Sequence, residues 1–430
     1  MPTFIHAADL HLDSPLQRLE AYEGAPVEQI RLASRRALEN LVELALARSV
    51  DLVVIAGDLY DGDWQDHNTG LFFVAQINRL IKNGIPVVAI SGNHDAASQM
   101  TKSLPLPNNP DGSAIMLRSR SAETRRFMDI GISVHGRSFR NRAEEENMVP
   151  DYPAADPGVF NIGVLHTSLT GAEGHDTYAP CSPSDLVSKQ YDYWALGHVH
   201  TRGEHHDVDD EDAAPIIFPG NLQGRHPKET GPKGCMIVEV GDDGKPKLEF
   251  HALDVVRWEV CQLDVADLEN LDQLYDRYRD WLRDMIDTVG DRILAHRVRV
   301  VGATELHTAL ITERLQIENS LRAIGIQTAG EQGWLECLRV KTTAPQKTTL
   351  NFDPDGPLGC LEAVLSEMME TEQLSTLQDA FADLIRKLPD ELTAAGDDAL
   401  RLNDPETLRE LIAAARPVLH AQLNRSEVSS

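Results

Sequence analysis

The chain has few cysteines, lacks long hydrophobic runs and is short of positive charge. Its five cysteines are scattered and include no Cys-x-x-Cys pair, which argues against both a disulfide framework and a zinc knuckle. No apolar run reaches the roughly 18 residues of a membrane-spanning helix. The Met-Pro-Thr-Phe-Ile-His start also lacks the basic segment and apolar stretch of a secretory leader. These absences predict a soluble, cytoplasmic protein with no membrane partner.

The charge balance bears on binding to nucleic acid. Lysine and arginine number 40 against 68 aspartates and glutamates, a net charge of −28 at pH 7. Because nucleic-acid binding depends on basic side chains that neutralise phosphates, this balance argues against tight, autonomous binding. One local exception, the arginine strip, contains only Glu123 and Asp129 as acidic residues, and it is either a solvated face or a phosphate-contacting surface. The strip comprises Arg118, Arg120, Arg125, Arg126, Arg137, Arg140 and Arg142.

A length of 430 residues predicts two or three domains. Residues 1–255 alternate strands and helices, residues 256–343 have a compact α+β pattern, and residues 344–430 read as a linker and helices. The first region begins with a βαβαβ rhythm, which predicts parallel strands whose carboxyl ends share one edge of the sheet. Open α/β sheets place their ligands at that edge. The predicted elements are Thr3–Ala8, Pro26–Ser49, Asp51–Ala56, Asn68–Lys82 and Pro86–Ser91.

Shorter apolar runs follow, and they predict a second, more antiparallel sheet packed on the first. An acidic segment among them, His206–Asp212, is typical of a solvated loop. The predicted strands are Ile115–Leu117, Ile132–His135, Ile162–His166, Tyr193–Leu196, Ile216–Phe218, Cys235–Val240 and Lys247–Ala252.

Five short polar clusters each follow an apolar, strand-like run. Any one of them alone is a weak signal, but together they supply the oxygen and imidazole ligands that suit a pair of divalent metals. The clusters are Asp9-Leu10-His11, Gly57-Asp58, Gly92-Asn93-His94-Asp95, His166 and Gly197-His198-Val199-His200. We therefore expect them to converge into one pocket.

Two divalent metals about 3.5–4 Å apart can hold a bridging hydroxide and polarise a phosphoryl oxygen. A carboxylate bridges two ions best, so Asp58 is the candidate bridge, with Gly57 allowing close backbone approach. Asp9 and His11 share one face through their i, i+2 spacing if the strand end stays extended. The same argument applies to His198 and His200.

The remaining polar residues have distinct candidate roles. Asn93 offers an amide oxygen and His166 an imidazole as further metal ligands. His94 lies next to a ligand without being assigned to a metal, and its unperturbed pKa near neutrality suits a proton donor to the leaving oxygen. Asp61 and Asp95 either orient imidazoles or act as turn residues.

The motifs DxH, GDLYD, GNHD, the lone His166 and GHVH together resemble the calcineurin-like metallophosphoesterase superfamily. Three segments carry a narrower resemblance to SbcD-type DNA repair exonucleases, and most closely to their bacterial YhaO-like branch. These are FIHAADLHLD at 4–13, PGNLQGR at 219–225 and KETGPKGC at 228–235. The phosphoesterase motifs cover about residues 1–255.

The resemblance implies an α/β fold, a four-layer αββα sandwich with a small α+β capping domain and a helical C-terminal tail. It implies two Mn²⁺ ions and a leaving-group role for His94. The first ion would be held by Asp9, His11, Asp58 and His200, and the second by Asp58, Asn93, His166 and His198.

The implied function is exonuclease or endonuclease cleavage of DNA in repair, with an SMC-like coiled-coil ATPase as partner and homodimerisation by analogy. A phosphodiesterase or phosphatase for a small nucleotide is the alternative, since one metal centre serves many substrates. A non-catalytic scaffold for an ATPase is a third interpretation. Part of the wider family has a histidine where Asp61 stands here, a difference that predicts altered DNA handling.

Overall fold

The structure is a computed structural model that describes residues 1–14, 26–61, 67–97, 105–169, 178–205, 214–345, 353, 355–387 and 401–428. The predicted acidic loop His206–Asp212 lies outside the described residues. Among the described residues, no helix is long and apolar enough to span a bilayer. The chain forms two compact units. The first contains Met1–Cys261, Asp280–Arg297 and Gly325–Cys337, and the second contains Gln262–Arg279, Val298–Ile324 and Leu338–Ser430.

The first sheet is built on the predicted βαβαβ rhythm. Its strands β1, β2 and β3 are parallel, and the helices between them bury an apolar stripe against the sheet, as amphipathic helices do. The elements are β1 (Thr3–Ala7), α1 (Val27–Arg31), α2 (Ala33–Ala47), β2 (Leu52–Ile55), α3 (His67–Lys82), β3 (Val87–Ala89) and α4 (Asn93–Ala97).

Two late strands complete the first sheet and correct one prediction. Strands β10 (Gly234–Val240) and β11 (Pro246–Ala252) belong to this sheet, which has the order β11-β10-β1-β2-β3. Strand β10 runs antiparallel to β1, with Val238 opposite Phe4. Their assignment to the second sheet was wrong, because an apolar run indicates burial and does not reveal which strand lies beside it.

The second sheet has the order β4-β5-β6-β7-β9-β8. The pairings from β5 through β9 are parallel, and only the two edge pairings are antiparallel, so the prediction of a more antiparallel sheet was wrong. The polar edge strands β4 and β8 escaped prediction, while Ile115–Leu117 makes only a bridge to Ala89. The strands are β4 (Glu123–Phe127), β5 (Ile132–Gly136), β6 (Phe160–His166), β7 (Tyr193–Gly197), β8 (Gly203–His205) and β9 (Ile216–Phe218).

The two sheets pack face to face, with Phe4, Val54, Ile162 and Tyr193 among the side chains of the shared core. Helices α2 and α3 cover the outer face of the first sheet. The outer face of the second sheet is covered by loops, a 3-10 turn and the five-residue helix α5 (Pro183–Val187). The architecture is therefore α/β with the expected αββα order of layers, and the last layer is thin.

The remaining elements follow β11. Strands β12, β13 and β14 form a three-stranded sheet in that order. In the second unit, an apolar cluster that includes Leu365, Leu374, Leu408 and Ile412 holds together the last three helices of the described residues. The predicted division into residues 1–255, 256–343 and 344–430 stays a prediction. The elements are β12 (Val256–Asp264), α6 (Leu271–Val289), β13 (Ile293–Ala303), α7 (His307–Thr312), α8 (Arg314–Ala329), β14 (Gly333–Thr343), α9 (Pro357–Met368), α10 (Thr371–Ile385) and α11 (Pro405–Val428).

Candidate metal centre

All eight predicted site residues lie together at the carboxyl ends of strands β1, β2, β3, β6 and β7, which belong to the two packed sheets. Three overlapping groups of residues can be defined, and within each group the ligand atoms all lie within 4.8 Å of one another. The groups are Asp9, His11 and His200; His11, Asp58 and His94; and Asp58, His166 and His198. The fold thus brings together side chains that lie almost two hundred positions apart in the sequence.

The backbone is left-handed, not extended, at four of the eight site residues. The φ angles are 52° at Asp9, 41° at His11, 51° at Asp58 and 101° at His198. The strand end after β1 therefore does not stay extended, and i, i+2 spacing is not what brings Asp9 and His11 together. Instead, the amides of Asp9 and His11 donate to the carbonyls of Gly57 and Asp58, each at 3.0 Å, and these bonds bring the two clusters together.

Glycines make the close approach possible. A Cβ at Gly57, which has a φ of +95°, would lie 2.5 Å from Nδ1 of His166. A Cβ at Gly92 would lie 2.3 Å from a carboxylate oxygen of Asp58. The expectation of a close backbone approach at Gly57 is confirmed, and Gly92 has the same function.

We define the second subsite as Asp58, Asn93, His166 and His198. Nδ1 of His166 lies 3.0 Å from the carbonyl oxygen of Ala56, which can only accept, so Nδ1 carries a proton and donates it. The other ring nitrogen, Nε2, faces the side-chain oxygen of Asn93 at 2.9 Å and an oxygen of Asp58 at 3.4 Å. Three buried acceptors therefore converge on one point, an arrangement that needs a positive charge among them. This donor set fits a divalent cation.

The pKa values in the second subsite reflect the same need for positive charge beside Asp58. Burial acts to lower the pKa of His166, but the charge and hydrogen bond of Asp58 outweigh it and raise the pKa to about 9. Burial acts to raise the pKa of Asp58, and the neighbouring imidazoles outweigh it and hold that pKa well below its usual range. Both shifts have the same cause, which is the buried negative charge of Asp58 beside the imidazoles.

We define the first subsite as Asp9, His11, Asp58 and His200. Nε2 of His11 lies 3.1 Å from Nε2 of His200 and 3.7 Å from an oxygen of Asp58. Burial, reinforced by the charge of Arg225, lowers the pKa of His11 to about 3, so its imidazole is neutral, as a metal ligand must be. Burial also raises the pKa of Asp9 to about 6. This set of two carboxylates and two imidazoles fits a divalent cation of its own.

His94 lies beside the first subsite, with its ring centroid 4.9 Å from that of His11. Nδ1 of His94 lies 2.7 Å from a carboxylate oxygen of Asp61, and its side chain is 34% exposed. Burial acts to lower the pKa of His94, but the hydrogen bond to Asp61 and the charges of Asp58 and Asp61 raise it above its ordinary value. Of the two interpretations offered for Asp61, the orienting carboxylate is the one that matches this contact.

Among the described residues, Asp95, unlike Asp61, contacts backbone amides and not an imidazole. Its buried carboxylate accepts hydrogen bonds from the backbone amides of Leu59, Tyr60 and Gly92, each at 3.1 Å. These bonds join the GDLYD segment to the GNHD segment, and they match the turn interpretation, since the described contacts of Asp95 include no imidazole. Burial, together with the charge of Asp58, raises its pKa to about 7.

Sequence reasoning missed two charged residues of the pocket. Glu229 accepts a hydrogen bond from Nδ1 of His200 at 2.7 Å, and Arg225 contacts Asp61 at 3.1 Å. Both lie on the loop between β9 and β10, inside the two segments that carried the narrower family resemblance. That resemblance was the available signal, but no metal-ligand spacing distinguished these residues from a surface charge pair.

The arginine strip is mostly neutralised by acidic neighbours. Four of its arginines make ion pairs with Glu123, Asp151 or Asp156. In the described part of the chain, the other three, Arg120, Arg140 and Arg142, are exposed and make no ion pair. Arg140 follows Phe139, whose ring packs 5.4 Å from that of His166, and so it lies near the pocket.

Comparison with known proteins agrees with this geometry. Residues 2–202 match the calcineurin-like phosphoesterase family, and residues 258–343 match the middle domain of the metallophosphoesterase YhaO. The chain is 33% identical over 359 residues to the uncharacterized metallophosphoesterase YhaO of Bacillus subtilis strain 168, covering 82% of this chain and 84% of that protein.

Two archaeal proteins are more distant relatives, and both are named DNA double-strand break repair protein Mre11. The one from Methanopyrus kandleri is 25% identical over 410 residues, covering 86% of this chain and 77% of that protein. The one from Sulfurisphaera tokodaii is 22% identical over 321 residues, covering 73% of this chain and 77% of that protein.

The pocket is built for two divalent metals and the fold is that of phosphoester hydrolases. The chain belongs to the calcineurin-like metallophosphoesterase family, in the SbcD and YhaO group of that family.

Proposed function

We propose that this protein is a metal-dependent DNA nuclease of DNA repair, which hydrolyses phosphodiester bonds with two Mn²⁺ ions. The observation that carries the proposal is the convergence of buried acceptors that need positive charge, directly beside a histidine held by a carboxylate. Mn²⁺ is proposed because the donor set mixes carboxylate, amide and imidazole and contains no sulfur.

We propose that the candidate ligands divide into the two sets that the family resemblance implies. One ion would be held by Asp9, His11, Asp58 and His200, and the other by Asp58, Asn93, His166 and His198. Bound there, a pair of divalent cations polarises a phosphoryl oxygen and lowers the pKa of water. Asp58 is the only carboxylate shared by two of the three ligand groups, which supports its role as the bridge.

His94 is proposed as the general acid. Asp61 accepts from its Nδ1, which leaves Nε2 to face the substrate, and its partial exposure gives a leaving oxygen access to the ring. Its raised pKa keeps the ring protonated at a higher pH than a free histidine would be. This proton would then pass to the leaving oxygen as the phosphorus–oxygen bond breaks.

DNA is proposed as the substrate because the two archaeal relatives, which align with most of this chain, are named for DNA double-strand break repair. Arg120, Arg140 and Arg142 are proposed as phosphate contacts because they are exposed and make no ion pair with described residues. The net charge of −28 leads us to expect that DNA cleavage requires low salt.

An SMC-like ATPase partner, a homodimer and a cytoplasmic location are further proposals from the family resemblance.

A comparison of substrates tests this proposal. Purified protein with Mn²⁺ is incubated with end-labelled duplex DNA, with single-stranded DNA, and with bis(p-nitrophenyl) phosphate as a small phosphodiester. We expect DNA cleavage that requires the added cation and weakens as salt increases. Cleavage of the small phosphodiester alone, at any salt concentration, would replace the nuclease with the alternative, a phosphodiesterase for small nucleotides.

A further inference from the structure

Arg225 lies between two carboxylates that hold different histidines of the pocket. Its Nη1 is 3.1 Å from Oδ2 of Asp61 and 3.1 Å from Oγ of Ser14. Its Nη2 is 3.8 Å from Oε1 of Glu229. The arginine side chain is only 16% exposed, so it is enclosed by these partners and does not lie on the surface.

Glu229 supports the first subsite. Its Oε1 accepts from Nδ1 of His200 at 2.7 Å, and its Oε2 accepts from the backbone amide of Arg225 at 2.7 Å and from Nδ2 of Asn221 at 2.9 Å. The carboxylate is thus buried with both oxygens in use. A carboxylate behind a metal-binding imidazole fixes the orientation of the ring and increases its basicity.

Asp61 has the equivalent position behind His94. Its Oδ1 is 2.7 Å from Nδ1 of His94, and its Oδ2 accepts from Ser14 as well as from Arg225. The guanidinium therefore contacts the carboxylate that orients His200 and the one that orients His94. Without it, two poorly hydrated negative charges would face each other across the gap that the guanidinium now fills.

The geometry requires an arginine and not just a positive charge. A guanidinium offers separate nitrogens in one rigid plane, whereas a lysine ammonium is a single point on a flexible stem. Lys233, on the same loop, already donates to the carbonyl of His200 at 2.8 Å. It supports the backbone of that residue and is not available to replace Arg225.

We infer that Arg225 is a positioning residue that joins Asp61 and Glu229, so that the candidate ligand His200 and the candidate proton donor His94 are held as one unit. This inference rests on the proposed function and deepens it. It implies that cation affinity at the first subsite and proton donation by His94 change together when Arg225 is replaced, although the guanidinium donates its hydrogen bonds to Ser14 and Asp61 and to neither histidine.

Two variants and one matched control test the inference. Arg225→Gln removes the charge and Arg225→Lys keeps it without the planar fork. Arg257→Gln is the control, since Arg257 is also a buried arginine but donates its two side-chain hydrogen bonds to Asp254, which is not a site residue. We expect Arg225→Gln to weaken the first-subsite affinity for Mn²⁺ about tenfold in calorimetry, a typical effect for a group behind a metal ligand. Arg225→Lys should restore little of this loss, and Arg257→Gln should not alter cation affinity.

A second readout needs neither cation nor turnover. In the cation-free protein, the Nδ1 protons of His94 and His200 should give distinct downfield proton resonances, and Arg225→Gln should shift both. A shift of only one resonance, or of neither, would overturn the inference. Because no substrate is involved, these measurements stay informative even if the DNA nuclease proposal fails.

Turnover of bis(p-nitrophenyl) phosphate at saturating Mn²⁺ then separates positioning from substrate binding. We expect kcat to fall about tenfold in Arg225→Gln, and Asp61→Asn combined with Arg225→Gln to be no worse than the poorer single variant. Glu229→Gln combined with Arg225→Gln should show the same non-additivity in cation affinity. A raised KM with unchanged kcat would assign Arg225 to substrate binding instead, and additive losses would also contradict the inference.

Discussion

The two candidate cation subsites share Asp58 and differ in what holds their remaining ligands. In the second subsite, His166 donates to the carbonyl of Ala56, a main-chain group fixed by the sheet. In the first, His200 donates to Glu229, a side chain on a loop. The side chain of His166 is fully buried, while that of His200 is 19% exposed. The second subsite is therefore part of the sheet framework, and the first depends on side chains that single substitutions can remove.

This difference shows how one dinuclear pocket can bind its two ions with unequal affinity. Ligands already held in place by the backbone lose less conformational freedom when they bind. We expect the second subsite to bind its cation more tightly and to exchange it more slowly. The predictions below test that asymmetry, from the largest expected effect to the smallest.

Replacement of the shared carboxylate should abolish the difference between the subsites. In Asp58→Ala, both sets of ligands lose their common oxygen donor, so calorimetry with Mn²⁺ should show the number of bound ions fall from two to none. Hydrolysis should fall below detection. Asp111→Asn, an exposed carboxylate outside the pocket, is the control. A variant that still binds two ions would place the bridge elsewhere.

His94→Gln should separate chemistry from cation binding. We expect both ions to be retained and kcat to fall by about 10²–10⁴-fold, the usual contribution of a general acid. His205→Gln, an exposed histidine of the second sheet, should behave like the unaltered protein. A fall to one bound ion would instead make His94 a ligand, since its ring nitrogen groups with His11 and Asp58.

Glu229→Gln should weaken one subsite only. The amide cannot hold His200 as a carboxylate does, so the affinity for the first cation should fall by about 10–100-fold while that for the second stays unchanged. Calorimetry resolves the two binding events. Glu249→Gln, an exposed glutamate that pairs with Arg48, is the control. Equal weakening of both events would show that the subsites are not independent.

His6 allows the effect of a buried histidine on stability to be measured apart from cation binding. It lies buried on β1 and belongs to neither subsite. Burial lowers its pKa to about 3, although Leu196 accepts from its ring. An unfolded chain takes up this proton near pH 6.5 and the folded protein does not, so this contribution to stability is complete above that pH and is lost as the pH falls towards 3. In His6→Gln, the free energy of unfolding without cations should depend less steeply on pH between 6 and 4, by up to about 1.4 kcal/mol per pH unit. Urea unfolding measures this slope, and equal slopes in both proteins would contradict the prediction.

The site could be predicted because its residues follow strand-like runs in a fixed order. The rule that parallel strands end at one edge brought Asp9, Asp58 and Asn93 together without knowledge of the second sheet. Their backbone geometry could not be predicted, because positive φ angles at Asp9 and His11 are imposed by hydrogen bonds to residues near position 58. Local spacing does not contain that information.

The misassigned strands have a related cause. GCMIVEV at β10 reads as a buried strand in either sheet, and only its pairing with β1 identifies the correct one. The polar edge strand ETRRF at β4 lacks an apolar run altogether. Arg225 and Glu229 were missed because their partners lie far away in the sequence, so their role exists only in the folded chain.

The left-handed backbone at Asp9, His11, Asp58 and His198 has a consequence for engineering. Each such residue costs of order 1–3 kcal/mol, which well-packed surroundings must offset. Efforts to raise the melting temperature will therefore find tempting replacements at these positions, where glycine relieves the torsion and removes the functional group at once. Variants with a higher melting temperature should be sought by improving the packing between the sheets, without substitution of these four left-handed residues.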